Sequence, residues 1–250
     1  IHRRLIKALE DNTVQNDGTV RAADGSIIQY TYGGDNYDAT YLIKCYVPFI
    51  GFDDEKLESA FRMDADQYAE ATGGKKLTAE DEAALAQEYD EIVDLRDRMR
   101  ESRLTIFTRK LRKDVHVPSD VASIVHTAKI MHRGDVDHGI SDLTPERVHR
   151  EVKALVDTIA MRSYTGFPLK DMPRENRDAV LETSSLICST LCTRKVIYED
   201  RITEKAWRYI CNRVIRDHER ALVQAGEMVG AIASEACSEP AMQMSIIGTD

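Results

Sequence analysis

The 250-residue chain carries 34 Lys and Arg against 43 Asp and Glu, a formal charge of −9, with 42% hydrophobic and 31% charged residues. This composition excludes global disorder, and the acidic balance means that any grip on nucleic-acid phosphate must come from a local basic cluster. No apolar run approaches the roughly 20 residues of a bilayer-spanning helix, no signal peptide opens the chain, and the five scattered cysteines form no disulfide framework. The expectation is a soluble, intracellular protein whose thiols, Cys45, Cys188, Cys192, Cys211 and Cys237, are buried and reduced. Cys188 and Cys192 share a helical face, but no second Cys or His pair completes a zinc site.

The first element is a helix with apolar residues at 1, 5, 6 and 9. It is in full period at residue 1 with no capping residue before it, so the chain is expected to start in mid-helix. Asp17-Gly18 and Asp24-Gly25 favour tight turns, and the β-branched and aromatic run from Ser26 to Tyr32 makes a β-hairpin with Thr19 to Arg21. Gly33-Gly34-Asp35 ends that strand, and a further short strand is expected between Asp38 and Tyr46.

Helical patterns cover 54 to 71 and 79 to 100, separated by Gly73-Gly74, with Thr78 as the cap of the second. The sign of charge then reverses between Arg96 and Lys113, a run expected to be a solvated helix face. Further helices are expected from Asp120 to His132, from Thr144-Pro145 to about Tyr164, from Arg177 to Asp200, from Thr203 to Val223 and from Gly226 to Cys237. The fold class is mainly α with a small β component (α+β). Trp207 and Tyr209 are expected in the core or at an interface.

Three stretches, in order, resemble the largest subunit of archaeal and eukaryotic RNA polymerases, most closely the RNA polymerase II type. Ile1 to Asp11 with Ile28 to Ala39 is similar to the C-terminal part of the bridge helix and the hairpin and tyrosine-glycine turn that follow it. Leu191 to Val196 with Ile202 to Trp207 is similar to the end of the foot region. Gly226 to Ala233 with Ser238 to Ser245 resembles the helix that leads into the trigger loop. Independently of family, Gly230, Ala231, Ala233, Ser234 and Ala236 leave that helix little bulk, so a neighbouring backbone can come close, and Pro240 is expected to end or kink it.

The resemblance implies four regions: 1–16 as bridge helix, 17–46 as hairpin and cleft-linked turn, 47–217 as a helical foot-like domain, and 218–250 as cleft helix and trigger-loop base. It also implies roles. Arg3, Arg4 and Lys7, along one side of the first helix, would hold template phosphates, and Gln243 and Ile246 would face the incoming nucleotide. Two departures stand out. Ser234-Glu235-Ala236-Cys237-Ser238 replaces an alanine-glutamine-serine-isoleucine-glycine run, and Ile247 to Asp250 lacks the family's phenylalanine-histidine pair. The second leaves two readings open, a divergent polymerase or a chain that skips the trigger loop.

Nucleotide addition uses metal ions held by carboxylates, and the family's aspartate triad is not in this chain. Mg2+ is therefore expected outside the segment, structural Zn2+ elsewhere if present, and no catalytic or metal-binding residue within it. Expected partners are the second-largest and smaller polymerase subunits, template DNA and RNA, with no membrane. The setting would be the nucleus, or host cytoplasm or virion if the gene is that of a large DNA virus. The competing readings are a non-enzymatic helical scaffold carrying a polymerase-derived segment, and a metal-dependent hydrolase using His116, His126, His132 and His138, whose spacing fits no ligand pattern.

Overall fold

The computed structural model describes residues 2–103, 113–132, 140–163 and 174–247. Two compact units emerge, one built mainly from Ile1–Ala39 and Leu222–Asp250, the other from Thr40–Arg162 and Gly166–Ala221. The architecture is mainly helical with two small sheets, as the periodicities indicate.

In the first unit, α1 (His2–Leu9) leads into β1 (Thr13–Val14), β2 (Val20–Arg21) and β3 (Ile27–Gln29), an antiparallel sheet in that order. The two Asp-Gly pairs make its turns. Asp17 Oδ1 accepts the Thr19 N–H at 3.0 Å and Asp24 Oδ1 accepts the Ser26 N–H at 3.0 Å, while Gly18 and Gly25 take the positive φ that these turns require. The outer edge of β1 is covered by the chain leading to α9 (Val229–Ile247): Val14 donates to Glu227 O at 3.0 Å and accepts from the Gly226 N–H at 2.7 Å. Val14, Val20 and Val229 close a small apolar cluster beneath.

The second unit holds the large core. Its elements are β4 (Ile43–Tyr46), α2 (Asp54–Phe61), α3 (Ala65–Thr72), α4 (Ala79–Arg103), β5 (Asp114–Val117), α5 (Val121–Met131), α6 (Pro145–Ser163), α7 (Arg174–Thr190) and α8 (Glu204–Ala221). β4 and β5 pair antiparallel, with Cys45 opposite Val115, and Cys45, Val115 and Val117 point into the core. Trp207 is fully buried in that core, and its Nε1–H donates to Glu151 Oε2 at 2.5 Å. This meets the need of a buried indole for a partner. Tyr209 is packed, partly buried, against the same core.

Several expectations change. The pattern from 54 to 71 is two helices, because Arg62 is extended and Asp64 restarts the helix by a reciprocal cap with Gln67. The stretch from Arg177 to Asp200 is also interrupted. α7 stops at Thr190 and a π-helical turn follows over Arg194–Glu199, with the buried Glu88 carboxylate accepting the Thr193 N–H at 2.8 Å between them. Thr78 does cap α4, exchanging hydrogen bonds with Asp81.

The basic run is not simply a solvated face. Arg96 is 4% exposed and donates to Asp97 at 2.9 Å and Asp54 at 2.5 Å. Arg100 donates to Ile50 O and Phe52 O, both at 2.7 Å. These two arginines satisfy carbonyls of the 3-10 turn Pro48–Gly51 and the residue after it. Lys113 is the next described residue of the run; residues 104–112 lie outside the described set.

Among the thiols, Cys45 and Cys192 are buried, Cys188 and Cys211 are half-buried and Cys237 is exposed, so the expectation of uniform burial fails at Cys237. Desolvation pushes Cys188, Cys192 and Cys211 up to about 12, which keeps them as inert thiols. Among the described residues no group of three or more His, Cys, Asp or Glu could hold a metal ion. His116 is on β5, whereas His126 on α5 and His132 just beyond it line one pocket with Lys129 and Asp200, and His138 is outside the described residues.

Candidate nucleic-acid interface

The first and last helices of the first unit pack against each other, and small residues decide how. Gly230, Ser234 and Ser238 recur every four residues and so lie on one face of α9. Ser234 and Ser238 are 0% and 1% exposed. Each folds its hydroxyl back onto its own helix, to Ala231 O at 2.7 Å and to Glu235 O at 3.1 Å, so their burial leaves no donor stranded. At Gly230 the approach is closest: a Cβ there would lie 1.8 Å from Leu9 O and 2.8 Å from Asn12 Cβ. The Gly230 N–H donates to Asn12 O at 3.1 Å, joining the end of α1 to the start of α9.

At the other end of α1, His2 Nδ1 hydrogen-bonds Ser238 Oγ. Leu9 therefore sits by Gly230 and His2 by Ser238, and the two helices run antiparallel. Leu5, Ile6 and Leu9 are half-buried, whereas Arg3, Arg4 and Lys7 are exposed. The three cations are not equivalent. Lys7 Nζ pairs with Glu10 at 2.8 Å, and that hydrogen bond raises the lysine above its ordinary pKa. Among the described residues Arg3 and Arg4 make no ion pair, which leaves them the freer donors for phosphate.

α9 continues through Pro240 to Ile247, so the proline does not end the helix. It withdraws one N–H from the ladder. Gln243 is exposed, and its amide donates to Glu239 at 3.3 Å, one turn back. Met242 and Met244 beside it are exposed as well. Ile246 belongs to α9 by its backbone, and its side chain lies outside the described residues. Gln243 follows Ser238 by five residues, about 7.5 Å along the axis. The helix segment carrying Gln243 thus continues from the point where α9 is bonded to the arginine-bearing end of α1.

A further set of residues holds the approach to α9. Asn36 is 8% exposed with φ 59, its Oδ1 accepts the Tyr32 N–H at 3.1 Å and its carbonyl accepts the Val223 N–H at 2.9 Å. Tyr37 forms an isolated bridge with Leu222. Gly18 packs under this turn, where a Cβ would come within 3.1 Å of Asn36 Nδ2. The Gly33-Gly34-Asp35-Asn36 string signals a turn, but nothing local announces that the turn binds Leu222 and Val223, almost two hundred residues later.

The fold and site together define a mainly helical module that presents a cationic helix edge and, among its described residues, gathers no metal cluster. Its family follows from comparison: the model described as RNA polymerase Rpb1, domain 5, matches residues 1–248, and the chain belongs to that family. Two curated proteins of Trypanosoma brucei brucei, DNA-directed RNA polymerase II subunit RPB1-A and subunit RPB1-B, are each 25% identical to it over 269 aligned positions. Each alignment covers 98% of this chain and 15% of the relative, so the chain spans about 15% of the length of those curated relatives. The chain is a segment of the RNA polymerase largest-subunit type, and the helical-scaffold alternative is not favoured.

Proposed function

We propose that this chain acts within a DNA-dependent RNA polymerase, where α1 holds template phosphates and α9 leads into the residues that face the incoming nucleoside triphosphate. The observation that carries the reading is the pair Arg3 and Arg4, exposed and without ion pairs among the described residues, on a helix bonded at both ends to α9. Two guanidiniums on a rigid helix match phosphate geometry without supplying sequence information. Lys7, already neutralised by Glu10, contributes less.

The chain's part in the reaction is positional. The metal ions of phosphoryl transfer would supply charge stabilisation at the reacting phosphate, and on this reading their ligands belong to another stretch of polypeptide. The acidic helical body suits protein partners, the second-largest and smaller subunits, better than DNA. Similarity to RNA polymerase II subunits of a eukaryote supports a nuclear setting for such an enzyme.

Replacing Arg3 and Arg4 by alanine in the intact enzyme tests this. Elongation is expected to slow, and the slope of log affinity for template against log salt to fall in magnitude by roughly 1.4 to 1.8, since each lost phosphate contact removes about 0.7 to 0.9. An unchanged elongation rate with an unchanged salt slope rejects the assignment.

A further inference from the structure

The two ends of the α1–α9 contact are held differently. At Gly230 a backbone hydrogen bond and direct backbone contact fix the approach. At the far end a side-chain pair, His2 and Ser238, joins the helices. The apolar residues between them, Leu5, Ile6 and Leu9, are only half-buried, and non-directional packing of this kind permits rotation of one helix on the other. A hydrogen bond is directional and does not.

The serine hydroxyl has one proton to give and two lone pairs to accept with, and the histidine tautomer decides whether Nδ1 or Oγ donates; the bond is directional in either case. Arg3 and Arg4 follow His2 immediately in the chain, so the rotation that this bond fixes is also the rotation that aims the two guanidiniums.

We propose that His2 and Ser238 are positioning residues: the hydrogen bond between Nδ1 and Oγ sets the rotational register of α1 on α9, holding Arg3 and Arg4 in a fixed relation to the segment that carries Gln243. This rests on the reading of α1 as a template-holding helix. Neither residue touches substrate. Losing the bond leaves phosphate contacts available but misaligned, so turnover is affected more than binding.

The test is nucleotide addition by the intact polymerase containing this chain. His2→Ala and Ser238→Ala are each expected to lower kcat about three- to ten-fold with the KM for nucleoside triphosphate unchanged within about twofold, the loss of one directed hydrogen bond. The double variant should be no slower than the slower single one, because both remove the same interaction. His2→Asn, whose amide oxygen and nitrogen are both bonded to Cγ as Nδ1 is and can accept or donate there, should restore kcat to within about twofold of the parent. Additive losses, or His2→Asn no better than His2→Ala, overturn the proposal. If Arg3→Ala and Arg4→Ala slow elongation while the His2 and Ser238 losses add, only the register assignment fails; if the arginine variants leave elongation and salt slope unchanged, the proposed function itself fails.

Discussion

Gly230 is the position at which side-chain size is decided by a neighbouring backbone. Alanine there would place its Cβ 1.8 Å from Leu9 O, a carbonyl that cannot swing away as a flexible side chain could. Gly230→Ala must therefore push α1 off α9, a cost of roughly 3 kcal/mol by analogy with overpacked cores. Thermal unfolding followed at the first unit should show it. A Tm within a degree of the parent would mean that the two helices are not in contact in solution.

Two buried titratable groups of the second unit oppose each other. Burial pushes Glu88 up to about 7 despite the Thr193 N–H that it accepts, and burial pushes His218 down to about 4. Glu88 binds its proton more tightly folded than unfolded, so its contribution is fully present below the ordinary carboxylate range and is lost as pH rises through 7. His218 is the reverse: its contribution is present above about 6.5 and is lost as pH falls through 4. Each is worth on the order of 3 kcal/mol, and between these limits they partly cancel. Glu88→Gln should raise Tm at pH 7.5 and make its fall toward pH 5 steeper than in the parent. His218→Gln should flatten that fall. Parallel pH profiles for parent and both variants would show that neither group is held as described.

At the scale of elements, legibility in the sequence followed the range of the signal. The Asp-Gly turns and the Thr78 cap are local and were readable, whereas Asp120, expected within its helix, stands before it as the cap that accepts the Ser123 N–H. The restart at Asp64 carried its own cap with Gln67, yet continuous helical spacing on both sides masked it. β5 is four residues of alternation, too short to read without its distant partner β4. At the interface, the small residues of α9 announced a close approach, and Arg3, Arg4 and Lys7 were readable as cations of one helix face. That Glu10 neutralises Lys7, and that His2 finds Ser238 across the chain, depend on three-dimensional placement.

The basic run of α4 shows the same limit, because periodicity does not reveal which arginines reach a carbonyl. Arg96→Ala would remove a buried guanidinium together with its bonds to Asp97 and Asp54 and should cost about 2 kcal/mol. Arg98, more than a third exposed and 3.8 Å from Asp94, should cost less than about 0.5 kcal/mol when replaced by alanine. Denaturant midpoints of the two variants separate these values, and equal midpoints would contradict the buried placement of Arg96 against Asp54 and Asp97.

At the scale of the whole molecule, the two units differ in whether they can stand alone. The second owns a continuous core from Cys45 to Val214 that includes Trp207, Phe49 and Leu57. The first has Val14, Val20 and Val229, about 2 kcal/mol of burial each, set against roughly 1 kcal/mol of backbone entropy for every residue ordered. It also draws its halves from opposite ends of the sequence, and closing a loop that long adds further cost. The second unit reduces that cost, because its own ends lie together: the Arg220 guanidinium stacks 5.3 Å over the Tyr41 ring, so residues 39 and 222 leave it side by side at high effective concentration. A fragment of residues 40–221 should therefore unfold cooperatively by itself, whereas peptides 1–39 and 222–250 mixed at micromolar concentration should remain unstructured by circular dichroism. Helical signal in that mixture would show that α1 and α9 recognise each other without the body that joins them.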